Sequence, residues 1–118
     1  MGRIGQAVAR RARPFGMAVH YHNRKRLPRD QEEGAIYHAT AEELLKVSDF
    51  LSLHCPMTPE LRKFLNAERI ELMPKGAIVV NTARGGIVDD KALIGALSSG
   101  RLAAAGLDVF EGEPDLDK

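Results

Sequence analysis

Arg84 is the side chain whose position in this sequence points most directly to chemistry. It stands in Asn81-Thr82-Ala83-Arg84-Gly85-Gly86, after the apolar run Gly76-Ala77-Ile78-Val79-Val80 and before Ile87-Val88-Asp89-Asp90. A short apolar run bounded by turn residues reads as a buried strand, so the arginine lies where a strand ends and a glycine-rich turn begins. Ligands of open α/β sheets bind in the crevice outside the carboxyl ends of the strands. An arginine there can grip a carboxylate through two parallel N–H donors. An ordinary strand-to-helix loop can carry the same residues, so the rest of the chain has to decide between the two.

A second group of chemically competent residues follows Gly106-Leu107-Asp108-Val109-Phe110, which reads as the end of another buried strand, with Glu111-Gly112-Glu113-Pro114 beyond it. In a parallel sheet the two strand ends share one edge. Arg84 and Glu113 are therefore expected to face one pocket, with Asp108 at its floor. A carboxylate beside an imidazole raises its pKa and orients it as a proton donor, yet no histidine here is well placed for that part. His20 and His22 belong to an earlier strand, His38 precedes a helix, and His54 ends a strand beside Cys55 and Pro56, where it would border a ligand. Cys55 reads as a packed small residue.

A third group is Gly2-Arg3-Ile4-Gly5, at the head of a helix. Unpaired N–H groups and a partial positive charge make a helix N-terminus a phosphate site, and glycines allow a diphosphate to approach closely. Only G-x-x-G of the dinucleotide fingerprint G-x-G-x-x-G is present. About 20 residues on, a dinucleotide fold places an acid against the ribose 2′-hydroxyl, or an arginine where a 2′-phosphate is accommodated. This sequence has Asn23-Arg24-Lys25-Arg26 there, with no acid before Asp30. Asn, Arg and Lys can all donate to a phosphate, which predicts NADP(H) as the preferred cofactor and NAD(H) as the alternative.

The elements that must position these groups alternate. Residues 2–13 read as a helix with Ile4, Ala7, Val8 and Ala12 on one face, stopped by Pro14-Phe15-Gly16. A strand is expected over 17–22, a loop or weak helical turn over 23–33, and a short edge strand over 35–37. Thr40-Ala41-Glu42-Glu43 fits a capping box heading a helix whose apolar side is Leu44, Leu45 and Val47. A strand over 49–54 comes next, then a helical piece over 61–65. A second helical piece is capped by Asn66, with Ile70, Leu72 and Met73 partly buried. After a turn at 74–76 come the strand 77–81, a helix over 90–99 with Leu93, Ile94, Ala96 and Leu97 inward and Gly100 as its stop, and a small-residue strand over 103–109. Strands alternating with helices of these lengths argue for βαβ units and a doubly wound parallel sheet.

Composition agrees with a globular α/β protein. The 118 residues are 44% hydrophobic and 28% charged, with a net charge of +1. All eight basic residues of positions 1–29 stand without an acidic one; the other nine face all sixteen acids. That basic quarter fits a cofactor phosphate better than nucleic acid, because no aromatic residues interleave with it as a stacking platform needs. It is not read as a transit peptide either, since it supplies a helix and a strand to the sheet. A single cysteine gives no disulfide framework and suits a reducing, cytoplasmic setting. No apolar run approaches the ~18 residues of a membrane span, and no metal ligand set is expected.

With those residues in view, the chain resembles the D-isomer-specific 2-hydroxyacid dehydrogenases. The matching stretches are Gly2 to Gly5, Ser52-Leu53-His54-Cys55-Pro56-Met57-Thr58 to Asn66, and Asn81 to Gly85 through Gly106–Phe110 to Glu113-Pro114. Asn23-Arg24 is similar to the NADPH-preferring glyoxylate and hydroxypyruvate reductase branch. The resemblance implies a Rossmann-like fold and reduction of a small 2-keto acid to the 2-hydroxy acid, in a parent enzyme expected to be a homodimer. It implies that Arg84 binds substrate and lies against the cofactor, and that Glu113 assists a catalytic histidine. It also implies that Gly2, Arg3, Ile4 and Gly5 hold the diphosphate, Asn23 and Arg24 the adenosine ribose, Cys55 and Pro56 the cleft, Thr82 and Ala83 the nicotinamide, and Asp108 its carboxamide. The histidine, the first fingerprint strand and the substrate domain have no counterpart among these residues. Residues 1–118 are therefore expected to be a partial NAD(P)-binding domain, inactive alone. The alternatives are a non-catalytic dinucleotide-sensing module like the family's corepressor relatives, or an inert fragment.

Overall fold

The computed structural model describes residues 2–109. The chain divides into two compact units, Met1–Leu44 and Leu45–Lys118.

The first unit begins with α1 (Arg3–Ala12), with Gly2 as its N-cap. The Gln6 N–H donates to the Gly2 carbonyl at 2.9 Å. A 3₁₀ turn over Arg13–Phe15 carries Pro14, and Gly16 closes it at φ 78°, a left-handed conformation that glycine adopts without strain. The buried residues of α1 are Gly5 and Ala9. The expected inner face is corrected here: Ile4 is 67% exposed and Val8 is also exposed, and the helix buries two small residues one turn apart, Gly5 and Ala9. The expected strand over 17–22 contracts to β1 (His20–Tyr21). It pairs in parallel with β2 (Ile36–Tyr37), His20 opposite Ile36 and Tyr21 opposite Tyr37. Between them the charged segment supplies one helical turn, α2 (Arg29–Glu32), started by Pro28.

One buried polar group organises this unit. Glu32 is buried and accepts hydrogen bonds from the Tyr21 hydroxyl and from Arg26, Nε at 3.0 Å and Nη2 at 3.3 Å. The Tyr21 hydroxyl in turn accepts from the Leu27 N–H at 3.0 Å, and Arg13 donates to the Glu32 carbonyl at 2.9 Å. Buried charges need this kind of pairing to offset desolvation. Arg26 first and Tyr21 second hold the Glu32 carboxyl below its ordinary pKa.

α3 (Ala41–Lys46) follows, its start secured where the Glu43 N–H donates to Thr40 Oγ1 at 3.2 Å. Leu45 is buried, whereas Val47, expected on the apolar side, is exposed. The second unit holds β3 (Phe50–Leu53), α4 (Ala67–Leu72), β4 (Ala77–Asn81), α5 (Asp90–Ser98) and β5 (Leu102–Leu107). The strands form one parallel sheet in the order β3-β4-β5. As expected, the Asn66 side chain caps α4 by accepting from the Arg69 N–H, and Gly100 ends α5 at φ 78°. Asp89 caps α5, accepting from the N–H groups of Lys91 and Ala92. Arg101 Nη2 donates to the carbonyls of Glu71 and Met73, at 2.8 and 2.6 Å, and so closes the end of α4.

The core of this unit is Leu51, Leu53, Leu65, Ile70, Met73, Ala77, Val79, Ile87, Val88, Leu93 and Leu102. β4 alternates buried and half-buried positions as the middle strand. Three expectations fail. The helical piece expected over 61–65 is instead a 3₁₀ turn over Pro59–Leu61. Ile94 is 62% exposed and belongs to the outer face of α5. β5 is no fully buried strand: Leu102 is buried, while Ala103, Ala104 and Gly106 are exposed. Its small residues line sheet positions left exposed among the described residues.

Candidate functional site

Register places the three strand ends of the second unit level with one another. Leu53 is opposite Asn81, and Asn81 is opposite Leu107. The residues immediately beyond them are His54-Cys55-Pro56, Thr82-Ala83-Arg84 and Asp108; sequence reasoning puts Arg84 and Asp108 on one edge, and the register adds the Cys55-Pro56 segment. They share the carboxyl edge of one parallel sheet, where such sheets bind ligands. The Asp108 N–H donates to the Asn81 carbonyl at 3.1 Å, tying the end of β5 to the end of β4. Glu113, Pro114 and Phe110 lie outside the described residues.

The Arg84 turn is held from both sides. On one side the side chain of Asn81, only 1% exposed, accepts from the Ala83 N–H at 3.0 Å and donates to the Arg84 carbonyl at 2.9 Å. On the other, a short ladder binds the turn to the segment after β3. The Lys63 N–H donates to the Gly86 carbonyl at 2.7 Å, the Leu65 N–H to that of Ile87 at 3.0 Å, and the Asp89 N–H to that of Leu65 at 3.0 Å. Leu65 and Val88 thereby form a parallel bridge. A Cβ on Gly86 would sit 2.6 Å from Met57 Cε, the far end of a flexible side chain that would have to swing aside. None of this lacing was legible beforehand, because it joins segments that no periodicity relates.

The Arg84 side chain is exposed, and its Nη1 donates to the Ala83 carbonyl at 2.7 Å. Among the described residues no carboxylate pairs with it, whereas Arg13, Arg26 and Arg101 each hold one. Its Nη1 is engaged by the Ala83 carbonyl, while Nε and Nη2 have no carboxylate partner among the described residues. Thr82 and Asp108 are exposed and Ala83 is half-buried. Cys55 is half-buried, and burial raises its thiol pKa, which disfavours the thiolate a nucleophile needs. His54 bonds Ser52 Oγ at 2.7 Å, and burial lowers its pKa. A neutral imidazole on this edge is a poor proton donor.

In the first unit, Gly2, Arg3 and Ile4 are exposed at the head of α1, whose first turn carries no acid. Gly5 is buried one turn in. That helix end keeps its unpaired N–H groups and positive partial charge for an anion. The loop after β1 divides its cations: Arg24 and Lys25 are exposed, while Arg26 is committed to Glu32. Asn23 is half-buried, and its carbonyl accepts from the Tyr37 hydroxyl at 3.4 Å. Three of the four residues in the expected phosphate-binding run therefore remain for a ligand. The carboxylate that matters to this loop is Glu32, not Asp30. Sequence reasoning missed it because a glutamate in a charged loop reads as solvated. His20 Nδ1 and His38 Nε2 lie 2.8 Å apart, and His22 Nδ1 lies 2.9 Å from the His38 carbonyl, so these histidines serve one another. Among the described residues no cluster of three or more His, Cys, Asp or Glu could hold a metal, and no helix is long and apolar enough to cross a membrane.

Comparison with known proteins gives a consistent result. The family described as D-isomer specific 2-hydroxyacid dehydrogenase, NAD binding domain, matches residues 1–118. A glyoxylate reductase from Thermococcus kodakarensis is 53% identical over 113 residues, covering 96% of this chain and 34% of that protein. A glycerate dehydrogenase from Hyphomicrobium methylovorum is 48% identical over 119 residues, covering 99% of this chain and 37% of that protein. The crystal structure of a glyoxylate reductase from Paecilomyes thermophila superposes with a TM-score of 0.92 at 47% identity, covering 99% of this chain and 35% of that one. The chain thus spans about a third of the length of the relatives it matches.

Proposed function

The chain belongs to the D-isomer specific 2-hydroxyacid dehydrogenases, by their NAD-binding domain, and from that premise we propose that it is the nucleotide-binding part of an NADPH-preferring reductase of small 2-keto acids of the glyoxylate or hydroxypyruvate type. The observation that carries the reading is the level alignment of three strand ends, which gathers Cys55-Pro56, Thr82-Ala83-Arg84 and Asp108 on one edge, with the Arg84 guanidinium exposed and bound to no carboxylate among the described residues. The names of the relatives, glyoxylate reductase and glycerate dehydrogenase, suggest the substrate class.

The residues fit the cofactor. The acid-free head of α1 suits a diphosphate at Gly2, Arg3, Ile4 and Gly5, and Asn23, Arg24 and Lys25 suit a 2′-phosphate where a carboxylate would repel one. When bound, the nicotinamide ring supplies hydride. Thr82 and Ala83 would lie against that ring, and Asp108 would accept from its carboxamide. Cys55 and Pro56 would wall the cleft. Arg84 would anchor the substrate carboxylate and polarise the carbonyl, stabilising charge that grows on oxygen. Glu113 would raise the pKa of a histidine in the rest of the protein and orient it to protonate that oxygen. The protein is proposed to act as a homodimer in the cytoplasm, with residues 1–118 as one part of its NAD(P)-binding domain.

The test is calorimetric titration of the full-length protein with NADPH and NADH. NADPH is expected to bind about tenfold or more tightly, since charge-assisted bonds to the added phosphate contribute about 1.5–3 kcal/mol. Arg24→Asp is expected to reverse the order. Equal affinities would overturn the NADP preference. Binding of neither nucleotide would overturn the cofactor reading altogether.

A further inference from the structure

We propose that Asn81 is a positioning residue, whose buried side-chain amide fixes the backbone from which Arg84 reaches substrate. The inference rests on the reading of Arg84 as the substrate-carboxylate anchor and extends it to a residue that touches neither substrate nor cofactor.

The geometry leaves one orientation for the amide. The Ala83 N–H can only donate and the Arg84 carbonyl can only accept. The atom 3.0 Å from Ala83 N is therefore Oδ1, and the atom 2.9 Å from the Arg84 oxygen is Nδ2. A side chain here must present an acceptor and a donor side by side, at the length of an asparagine. Aspartate has the shape but not the donor. Leucine has neither, and would leave a buried N–H and a carbonyl without partners. The backbone of Asn81 is engaged as well, because its carbonyl accepts from the Asp108 N–H at 3.1 Å. One residue, 1% exposed at the end of the middle strand, thus ties down the peptides that carry Ala83, Arg84 and Asp108.

Precision matters here because Arg84 hangs on a 3₁₀ turn over Gly85–Ile87, not on regular structure. Its side chain is exposed and, among the described residues, is held by a single bond, to the Ala83 carbonyl. The placement of the guanidinium is inherited from the backbone under it, and misplacing a binding group by about 1 Å can cost on the order of a hundredfold in rate.

Aspartate at position 81 supplies a test that general damage does not imitate. As a carboxylate it keeps the bond from Ala83 but turns a second acceptor towards the Arg84 carbonyl. As a buried carboxylic acid, its O–H can donate to that carbonyl and restore the pair. Burial favours the neutral acid, so the repair sets in as pH falls. In full-length protein assayed with glyoxylate and NADPH, Asn81→Asp is expected to raise the glyoxylate KM about tenfold at pH 8. The NADPH Kd is expected to change by less than about threefold, and the KM ratio of variant to wild type to shrink steadily towards pH 5.5. Arg84→Gln, measured alongside, separates the two claims. If Arg84→Gln leaves KM unchanged, the reading of Arg84 falls and this inference with it. If Arg84→Gln raises KM while Asn81→Asp does not, or does so equally at every pH, the inference alone falls. Should the variant not fold, the wild-type protein still answers through amide hydrogen exchange. The Ala83 N–H is expected to exchange about a hundredfold or more slowly than that of exposed Thr82, and equal rates would overturn the proposal.

Discussion

At the scale of single residues, the same type of side chain has been put to opposite uses. Arg26 and Arg84 both follow a strand and both lie in glycine- or charge-rich turns, but Arg26 is bound by a buried glutamate and Arg84 by no carboxylate at all among the described residues. Sequence distinguished Arg84 by its place after an apolar run. It could not show that Arg26 is committed, because the partner lies in a segment without apolar period. The Glu32 cluster carries a pH dependence with a definite sign. Its carboxyl is held below the ordinary glutamate pKa, by Arg26 before Tyr21. Its contribution to stability is therefore complete above the ordinary glutamate range of about 4.3 and is lost as pH falls through the depressed value. Glu32→Gln removes that dependence. The gap in melting temperature between wild type and Glu32→Gln is expected to be largest near neutral pH and to close towards about pH 3, as followed by circular dichroism. A gap independent of pH would show that the glutamate works by shape and not by charge. Of the residues singled out for function, Thr82, Ala83, Arg84, Cys55, Pro56 and Asp108 do meet on one edge. Asn81, which arranges three of them, was seen beforehand only as the last residue of a strand.

At the scale of elements, local signals gave the helix starts and stops well. Thr40, Asn66 and Gly100 act where sequence placed them, because caps are decided by a few neighbouring atoms. Faces were read less well. Ile94 and Val47 are exposed, and α1 turns inward on Gly5 and Ala9 rather than Ile4 and Val8, since hydrophobic period marks a face but not what covers it. The strand over 17–22 shortened because pairing, not composition, sets strand length. Asp89 is the cap that sequence grouped with the amphipathic run instead of reading as the start of α5. Its Oδ1 accepts from Lys91 at 3.2 Å and Ala92 at 3.4 Å. Asp89→Ala is expected to lower the unfolding free energy by about 1 kcal/mol, read from the urea midpoint. An unchanged midpoint would mean that the Leu65–Val88 bridge alone anchors that helix start.

At the scale of the whole molecule, parallel topology was legible from the alternation of elements, but the division into two sheets was not, because which strands meet depends on pairings between residues remote in sequence. The chain spans about a third of its relatives' length, and the proposed proton donor is not among the residues placed here. Turnover of glyoxylate with NADPH by residues 1–118 alone is expected to fall at least about a hundredfold below the full-length protein, the usual contribution of a general acid. Comparable rates would require an acid within this chain and would return attention to His54. The level strand ends also bear on how the protein is made. Bringing Leu53 beside Asn81, and Asn81 beside Leu107, closes a long loop each time, with no hairpin to pair first. Loop entropy is spent before any contact repays it, so such chains fold slowly. Until β5 docks, the newly made strands show open edges to their neighbours, and the yield of soluble protein should depend on temperature and chaperone supply more than its final stability would suggest.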